Sequence, residues 1–169
     1  NGNLTNTREL TADMAKRDRR HLNSSSDTEL LLNVLAGELQ ATTSTVDLDP
    51  ERIFEAVART HERIEGAYAV IAVIAGYGLL AFRDPFGIRP LILGRRPSIV
   101  PGKEGRDEWV VASESLVLEN ADYEVVREVE PGEAVFITND GELFTKQCAA
   151  ETHLAPCAFE YVYLARPDS

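Results

Sequence analysis

Few stretches of this chain combine chemically active residue types at a useful spacing. The densest is Arg83-Asp84-Pro85-Phe86-Gly87-Ile88-Arg89-Pro90, where charges, prolines and a glycine abruptly follow apolar sequence. Each proline fixes a φ angle and Gly87 permits a positive one, so the segment reads as a shaped loop. Residue types alone support two readings of it, a rigid turn held by an Asp–Arg pair and direct contact with a site. A second candidate is Asp27 in Ser26-Asp27-Thr28-Glu29, where a carboxylate at a helix start is favoured and stays ionised. Taken alone, this is also what ordinary first-turn charge looks like. Cys148, His153 and Cys157 are metal-ligand types, but one loose spacing is weak evidence for a metal site. The basic run Lys16-Arg17-Asp18-Arg19-Arg20 could meet a phosphate or an acidic partner, although such a run is usually a solvated helix end. There is no Gly-rich phosphate loop and no Ser-His-Asp set at an informative spacing.

The elements that must position these residues are legible from periodicity. Ala67 to Leu93 organises the chain. Its first eight residues are apolar but for the Tyr68 hydroxyl, Gly76 and Gly78 punctuate it, and a second apolar run covers Leu79 to Phe82. This predicts a β-hairpin in the middle of a sheet covered on both faces. Upstream, residues 7 to 20 predict a helix with Thr7 as cap and Leu10, Met14 and Ala15 as a thin apolar stripe. Ser26 and Glu29 have capping-box spacing before a helix that buries Leu31, Val34, Leu35 and Leu39. Asp49 and Pro50 open a third helix with Ile53, Phe54, Val57, Ala58, His61 and Ile64 on one face, His61 bordering the core. Downstream, Pro97 to Asp107 reads as a loop, followed by a strand at Trp109–Ala112 and a short helix from Ser113. Strands follow at Tyr123–Val129 and Ala134–Ile137, and Asn139-Asp140-Gly141 turns into Leu143 and Phe144. A last strand-like run spans Phe159 to Leu164. Helices first and antiparallel-looking strands later give an α+β class with sheet and helix layers.

Bulk properties exclude several functions. With 169 residues, 44% of them hydrophobic and 27% charged, the chain can build one sizeable core. A net charge of -11 argues against general nucleic-acid binding. No apolar run is long enough to cross a bilayer, and the polar start is unlike a signal peptide. Two cysteines make no disulfide framework, so a cytoplasmic location is the expectation. The chain starts without Met and stops directly after a strand-like run, so it reads as an excerpt of a longer polypeptide.

Longer motifs carry the reading further. NGNLTN, NSSSDTELLLNVLAGEL, RDPFGIRPL, WVVASES, EPGEAVFI and CAFEYVYLARPDS together closely resemble the glutamine phosphoribosylpyrophosphate amidotransferases (amidophosphoribosyltransferases), over essentially all 169 residues. RDPFGIRPL is shared loosely with other class II glutamine amidotransferases, whereas FEYVYLARPDS marks the passage into a phosphoribosyltransferase domain. The resemblance implies an N-terminal-nucleophile-type sandwich of two antiparallel sheets between helix layers. It implies a glutaminase domain over residues 1–158, lacking its N-terminal part, with 159–169 leading into a missing phosphoribosyltransferase domain. In this family glutamine is hydrolysed and its ammonia displaces pyrophosphate from phosphoribosyl pyrophosphate, giving phosphoribosylamine in the committed step of purine biosynthesis.

Residue by residue, the resemblance assigns Asn1 and Gly2 to the oxyanion hole and Asp27 to the substrate's α-amino group. The nucleophile is a cysteine whose own α-amine is the general base, a description that fits neither Cys148 nor Cys157. The chain as given is therefore expected to be inactive. Cys157 stands where some members place a ligand of a 4Fe-4S cluster, and Cys148 matches nothing in the pattern. Mg2+ is implied for the missing domain, and a homo-oligomer for the full-length enzyme, with no membrane or nucleic-acid partner. Two alternatives remain: another class II amidotransferase, such as glucosamine-6-phosphate synthase, and a non-catalytic interaction module.

Overall fold

The computed structural model describes residues 2–18, 22–42, 48–102 and 104–159. Strand β1 (Gly2–Leu4) leads into helix α1 (Thr7–Asp13), which continues as a π-helical turn over Met14–Asp18. The helix is thus less regular than its periodicity suggests, and Arg19 and Arg20 of the basic run lie outside the described residues. Leu10 and Met14 are buried as expected, but Ala15 is exposed. The cap position belongs to Asn6, not Thr7. Its side chain makes no cap bond, because it reaches across to the Arg63 carbonyl and the Glu65 amide.

Helix α2 (Asp27–Thr42) buries Leu30, Leu31, Val34, Leu35 and also Glu38, with Leu39 only half-buried. The capping box is rearranged. Ser26 Oγ accepts from the Thr28 amide, while Glu29 reaches past Ser26 to the amides of Asn23 and Ser24 and the Ser24 hydroxyl. Helix α3 (Pro50–Arg63) starts as its sequence dictates, with the Asp49 carboxylate accepting from the Arg52 amide. It buries Ile53, Phe54, Ala56, Val57, Thr60 and His61. Arg63 joins the three helices by donating to Glu38 of α2 at 2.7 Å and to Asp13 of α1 at 3.1 Å.

The expected hairpin is β2 (Gly66–Ile74) with β3 (Gly78–Arg83), antiparallel from Ala69↔Arg83 to Ile74↔Gly78. It lies within a five-stranded sheet of order β1-β2-β3-β7-β8, where β7 is Glu133–Thr138 and β8 is Leu143–Gln147. A second sheet has the order β5-β4-β6, from β4 (Ile92–Pro97), β5 (Asp107–Ala112) and β6 (Glu124–Glu128). Helix α4 (Ser115–Asn120) lies between β5 and β6 in the chain. Strand β4 escapes a reading by pattern because Gly94-Arg95-Arg96 breaks its apolar run.

Alternation sorts the large sheet into two faces. Tyr68, Leu80, Phe82, Ala134 and Phe136 pack with the helical residues Leu10, Leu31, Val34, Ile53 and Phe54. Ala81, Val135 and Ile137 point the other way, onto Leu91, Leu93, Val111 and Val129 of the smaller sheet and its flanks. Beyond that sheet α4 closes the stack. A Cβ at Gly94 would lie 2.4 Å from Leu118, so the helix packs where β4 has no side chain. The layers are helices, sheet, sheet, helix. One detail departs from expectation: β2 is not covered on both faces, since Ile71 and Val73 are exposed, Val73 by 79%. The strand lies beside the short edge strand β1, which pairs only with Gly66–Tyr68.

The loop after β3 is a rigid turn in which backbone amides hold the aspartate. Asp84 is completely buried and its carboxylate accepts from the backbone amides of Tyr68, Phe86, Ile88 and Arg89. Arg83 donates to the carbonyls of Gly87, Arg89 and Val129 and to Glu128. Gly87 sits at a φ of +58°, which the turn requires. The segment 153–155 lies along this loop, its amides at His153 and Ala155 donating to Pro85 and Phe86. Replacing Asp84 by Ala strands four donors, so it should lower unfolding stability by ~3 kcal/mol or more. A loss under about 1 kcal/mol in urea titration would contradict this account of the turn.

His61 borders the core, as its place on α3 suggests. Its Nδ1 lies 2.7 Å from the Tyr68 hydroxyl, and Nε2 has no partner among the described residues. Burial pushes the imidazole down from 6.5 to about 4. The unfolded chain therefore takes up a proton below pH 6.5 that the folded chain refuses until about pH 4. This contribution is complete above pH 6.5 and lost as the pH falls toward 4, a change of ~3 kcal/mol. Chemical denaturation between pH 7 and 4 should show that slope, reduced in His61→Gln.

Candidate functional site

Of the residues that the resemblance assigns, Gly2 and Asp27 meet at the outer edge of β1. Thr5 donates to Glu65 at 2.8 Å, and the register runs Leu4↔Gly66, Asn3↔Ala67, Gly2↔Tyr68. Thr5 and Asn3 therefore occupy hydrogen-bonded positions, and the amides of Leu4 and Gly2 point away from β2. Leu4 shows where they point, because its N–H donates to Asp27 Oδ2 at 2.8 Å. The Gly2 amide faces the same side, roughly 7 Å along the strand. Asn1 lies outside the described residues.

Asp27 is the first residue of α2, so its carboxylate also sits in the favourable field of the helix N-terminus. The preceding loop is held by Glu29, whose carboxyl the Asn23 amide, then the Ser24 hydroxyl, hold below the usual carboxylate range. One Asp27 oxygen is committed to Leu4; the other has no partner among the described residues and can take a cation. Between β1 and α2 lies a cavity of about 90 Å³ whose lining includes Gly2, Leu4, Asp27, Leu31, Tyr68 and Ile71. It presents a carboxylate and an outward-facing amide beside Thr28 and a mainly apolar wall of Leu31, Tyr68, Val70 and Ile71. On the other side of Asp27 a wider groove of about 470 Å³ runs along Thr7, Thr11 and Ser24–Ser26.

Gly2 has a steric reason to be glycine. A Cβ there would lie 2.7 Å from the Ala67 carbonyl and 2.9 Å from Tyr68 Cβ. Two participants carry no signal in residue type. Leu4 contributes only its backbone amide, and Tyr68 reads as one more residue of an apolar strand.

The remaining candidates do not join this site. Cys148, His153 and Cys157 form no metal centre, for no group of three or more His, Cys, Asp or Glu among the described residues could hold an ion. Cys148 is a half-buried thiol contacting the Lys146 carbonyl, and burial pushes it up to about 11. Cys157 is half-buried as well. The Arg83–Pro90 loop is a support, tied to the site through the Asp84–Tyr68 hydrogen bonds. No helix among the described residues is long and apolar enough to cross a membrane.

Comparison with known proteins gives this geometry a family. Residues 1–120 match the glutamine amidotransferase domain family. The chain is 52% identical over its whole length to an amidophosphoribosyltransferase of Pasteurella multocida and 50% identical to one of Escherichia coli. It spans 32% of the length of each. Among solved structures it is similar to glutamine phosphoribosylpyrophosphate amidotransferase from B. subtilis, there complexed with ADP and GMP. The TM-score is 0.77 at 27% identity, covering all of this chain and 32% of that one. The two antiparallel sheets between helix layers are the α+β sandwich of the N-terminal-nucleophile type. With its family match covering most of its length, this chain belongs to the glutamine amidotransferase domain family.

Proposed function

We propose that the full-length protein is an amidophosphoribosyltransferase and that residues 1–158 belong to its glutaminase domain, without that domain's N-terminal part. The observation that carries this reading is the common direction of the Gly2 amide and the Asp27 carboxylate. Both line one cavity along one edge of β1, where the Leu4 amide that holds Asp27 lies roughly 7 Å along the strand from the Gly2 amide. A ligand that places a cation at one end and a carbonyl at the other matches that pair. Glutamine is such a molecule, with its α-ammonium at Asp27 and its side-chain amide toward Gly2. Full-length relatives named amidophosphoribosyltransferase favour this over a sugar-isomerase partner domain.

In this reading Asn1 and Gly2 donate to the oxyanion that forms when a cysteine thiolate attacks the amide carbon. The C–N bond breaks, the α-ammonium of that cysteine returns its proton to the leaving ammonia, and water then cleaves the thioester to glutamate. The cysteine belongs to chain preceding Asn1. Ammonia passes to phosphoribosyl pyrophosphate bound with Mg2+ in a domain following residue 158. The enzyme is assigned to the cytoplasm, as a homo-oligomer.

Asp27→Asn in the full-length protein should raise the glutamine KM while ammonia-dependent synthesis stays near wild type. Equal loss of both activities would reduce Asp27 to a helix-start residue that ties α2 to β1. Asn1→Ala should lower glutamine-dependent kcat by about 10² to 10³ if the amide is an oxyanion donor. A rate within about threefold of wild type would overturn that assignment.

Cys157 is assigned as one thiolate of an iron–sulfur cluster whose other ligands lie outside this chain. The described residues do not by themselves make such a site, since four thiolates are needed. Anaerobically purified full-length protein should contain iron and sulfide and absorb in the visible, and Cys157→Ser should lose both. A colourless, iron-free and fully active wild type would leave Cys157 as a packing residue.

A further inference from the structure

Resting on that glutaminase reading, we propose that Tyr68 is a positioning residue for the reaction. Its hydroxyl, tethered to His61, keeps the β1–β2 junction rigid so that the Gly2 amide holds its aim into the cavity. Gly2 and Tyr68 face each other as a non-hydrogen-bonded pair, the kind in which the two strands approach most closely. No atom larger than hydrogen fits on Gly2 against the Tyr68 Cβ. The position of Gly2 therefore follows the position of Tyr68.

Tyr68 is held at every point. Its amide donates to Asp84 Oδ2 at 3.3 Å and its carbonyl accepts from the Asp84 amide at 2.8 Å. Its hydroxyl lies 2.7 Å from His61 Nδ1, and its ring stacks on His61 at 5.8 Å and meets Phe82 edge-on at 6.2 Å. The residue is 1% exposed and still belongs to the cavity lining.

Stability alone does not explain a polar pair at this place. His61 Nε2 is buried without a partner among the described residues, a cost that an apolar pair would avoid. Phenylalanine at 68 beside leucine at 61 would occupy similar space with nothing unsatisfied. What the polar pair adds is directional: a hydrogen bond fixes the ring, where apolar packing tolerates small shifts. Oxyanion donors are sensitive to such shifts, and a displacement of about 1 Å can cost on the order of 10² in rate.

The test uses the full-length protein. Tyr68→Phe removes one oxygen and should lower glutamine-dependent kcat about tenfold with the glutamine KM within about twofold. Ammonia-dependent synthesis should be unchanged. His61→Leu should act likewise, while His61→Asn, which keeps a group able to bond the hydroxyl, should restore most of kcat. The double variant Tyr68→Phe/His61→Leu should melt at or above the wild-type temperature and remain slow. Wild-type kcat in Tyr68→Phe, kcat recovered along with stability in the double variant, or equal loss of both activities would each overturn the proposal. Asp27→Asn run in parallel separates the two readings. An impaired Asp27→Asn beside a normal Tyr68→Phe overturns the role of Tyr68 alone, and two unimpaired variants overturn the site itself.

Discussion

The arrangement depends on one buried carboxylate. Asp84 has no contact with solvent, and its two oxygens collect amides from the loop after β3 and from Tyr68 in β2. Taking a charge out of water is expensive unless hydrogen bonds replace its hydration, and here four backbone dipoles do so. The consequence is geometric. The loop can close only where Tyr68 presents its amide, so β2, β3 and the turn are fixed to one another. Tyr68 in turn fixes the edge strand that carries Gly2. A residue far from the cavity by chain position thereby sets the placement of a group within it.

The site is a junction between two kinds of backbone end. An edge strand leaves alternate amides without a ladder partner, and a helix N-terminus favours negative charge. Placing the start of α2 beside β1 uses both, with Asp27 satisfying the Leu4 amide. The Gly2 amide points away from β2 on the cavity side, with Leu31, Tyr68 and Ile71 among the lining. Such a place offers a donor and a carboxylate at fixed separation without any flexible side chain spanning it.

Paired charges set the layers at their corners. Arg63 ties α3 to α1 and α2, and Arg127 of β6 makes a two-pronged contact with Glu133 of β7, joining the small sheet to the large one. Glu133 raises the Arg127 affinity for its proton, as such a contact must. Desolvation offsets much of the attraction in buried or half-buried pairs of this kind, so their net contribution to stability is small.

The sequence by itself determined the parts with strong local causes. Asp49-Pro50 starts α3 because cap and proline act within one turn, and the hairpin β2–β3 follows from two apolar runs about a glycine-bearing turn. The family motifs point to Gly2 and Asp27 as candidate site residues without any geometry. Tertiary structure decided what local pattern does not encode. Strand β1 is three residues long and exists because β2 pairs with it; strand β4 exists because β5 and β6 flank Gly94-Arg95-Arg96. Glu29 abandoned its capping-box partner for Asn23 and Ser24, since the loop folds back within its reach. The meeting of Asp27 with the Leu4 amide was unreadable for a simpler reason. A backbone N–H is present at every residue but proline, and only the register of β1 on β2 decides which way each one points.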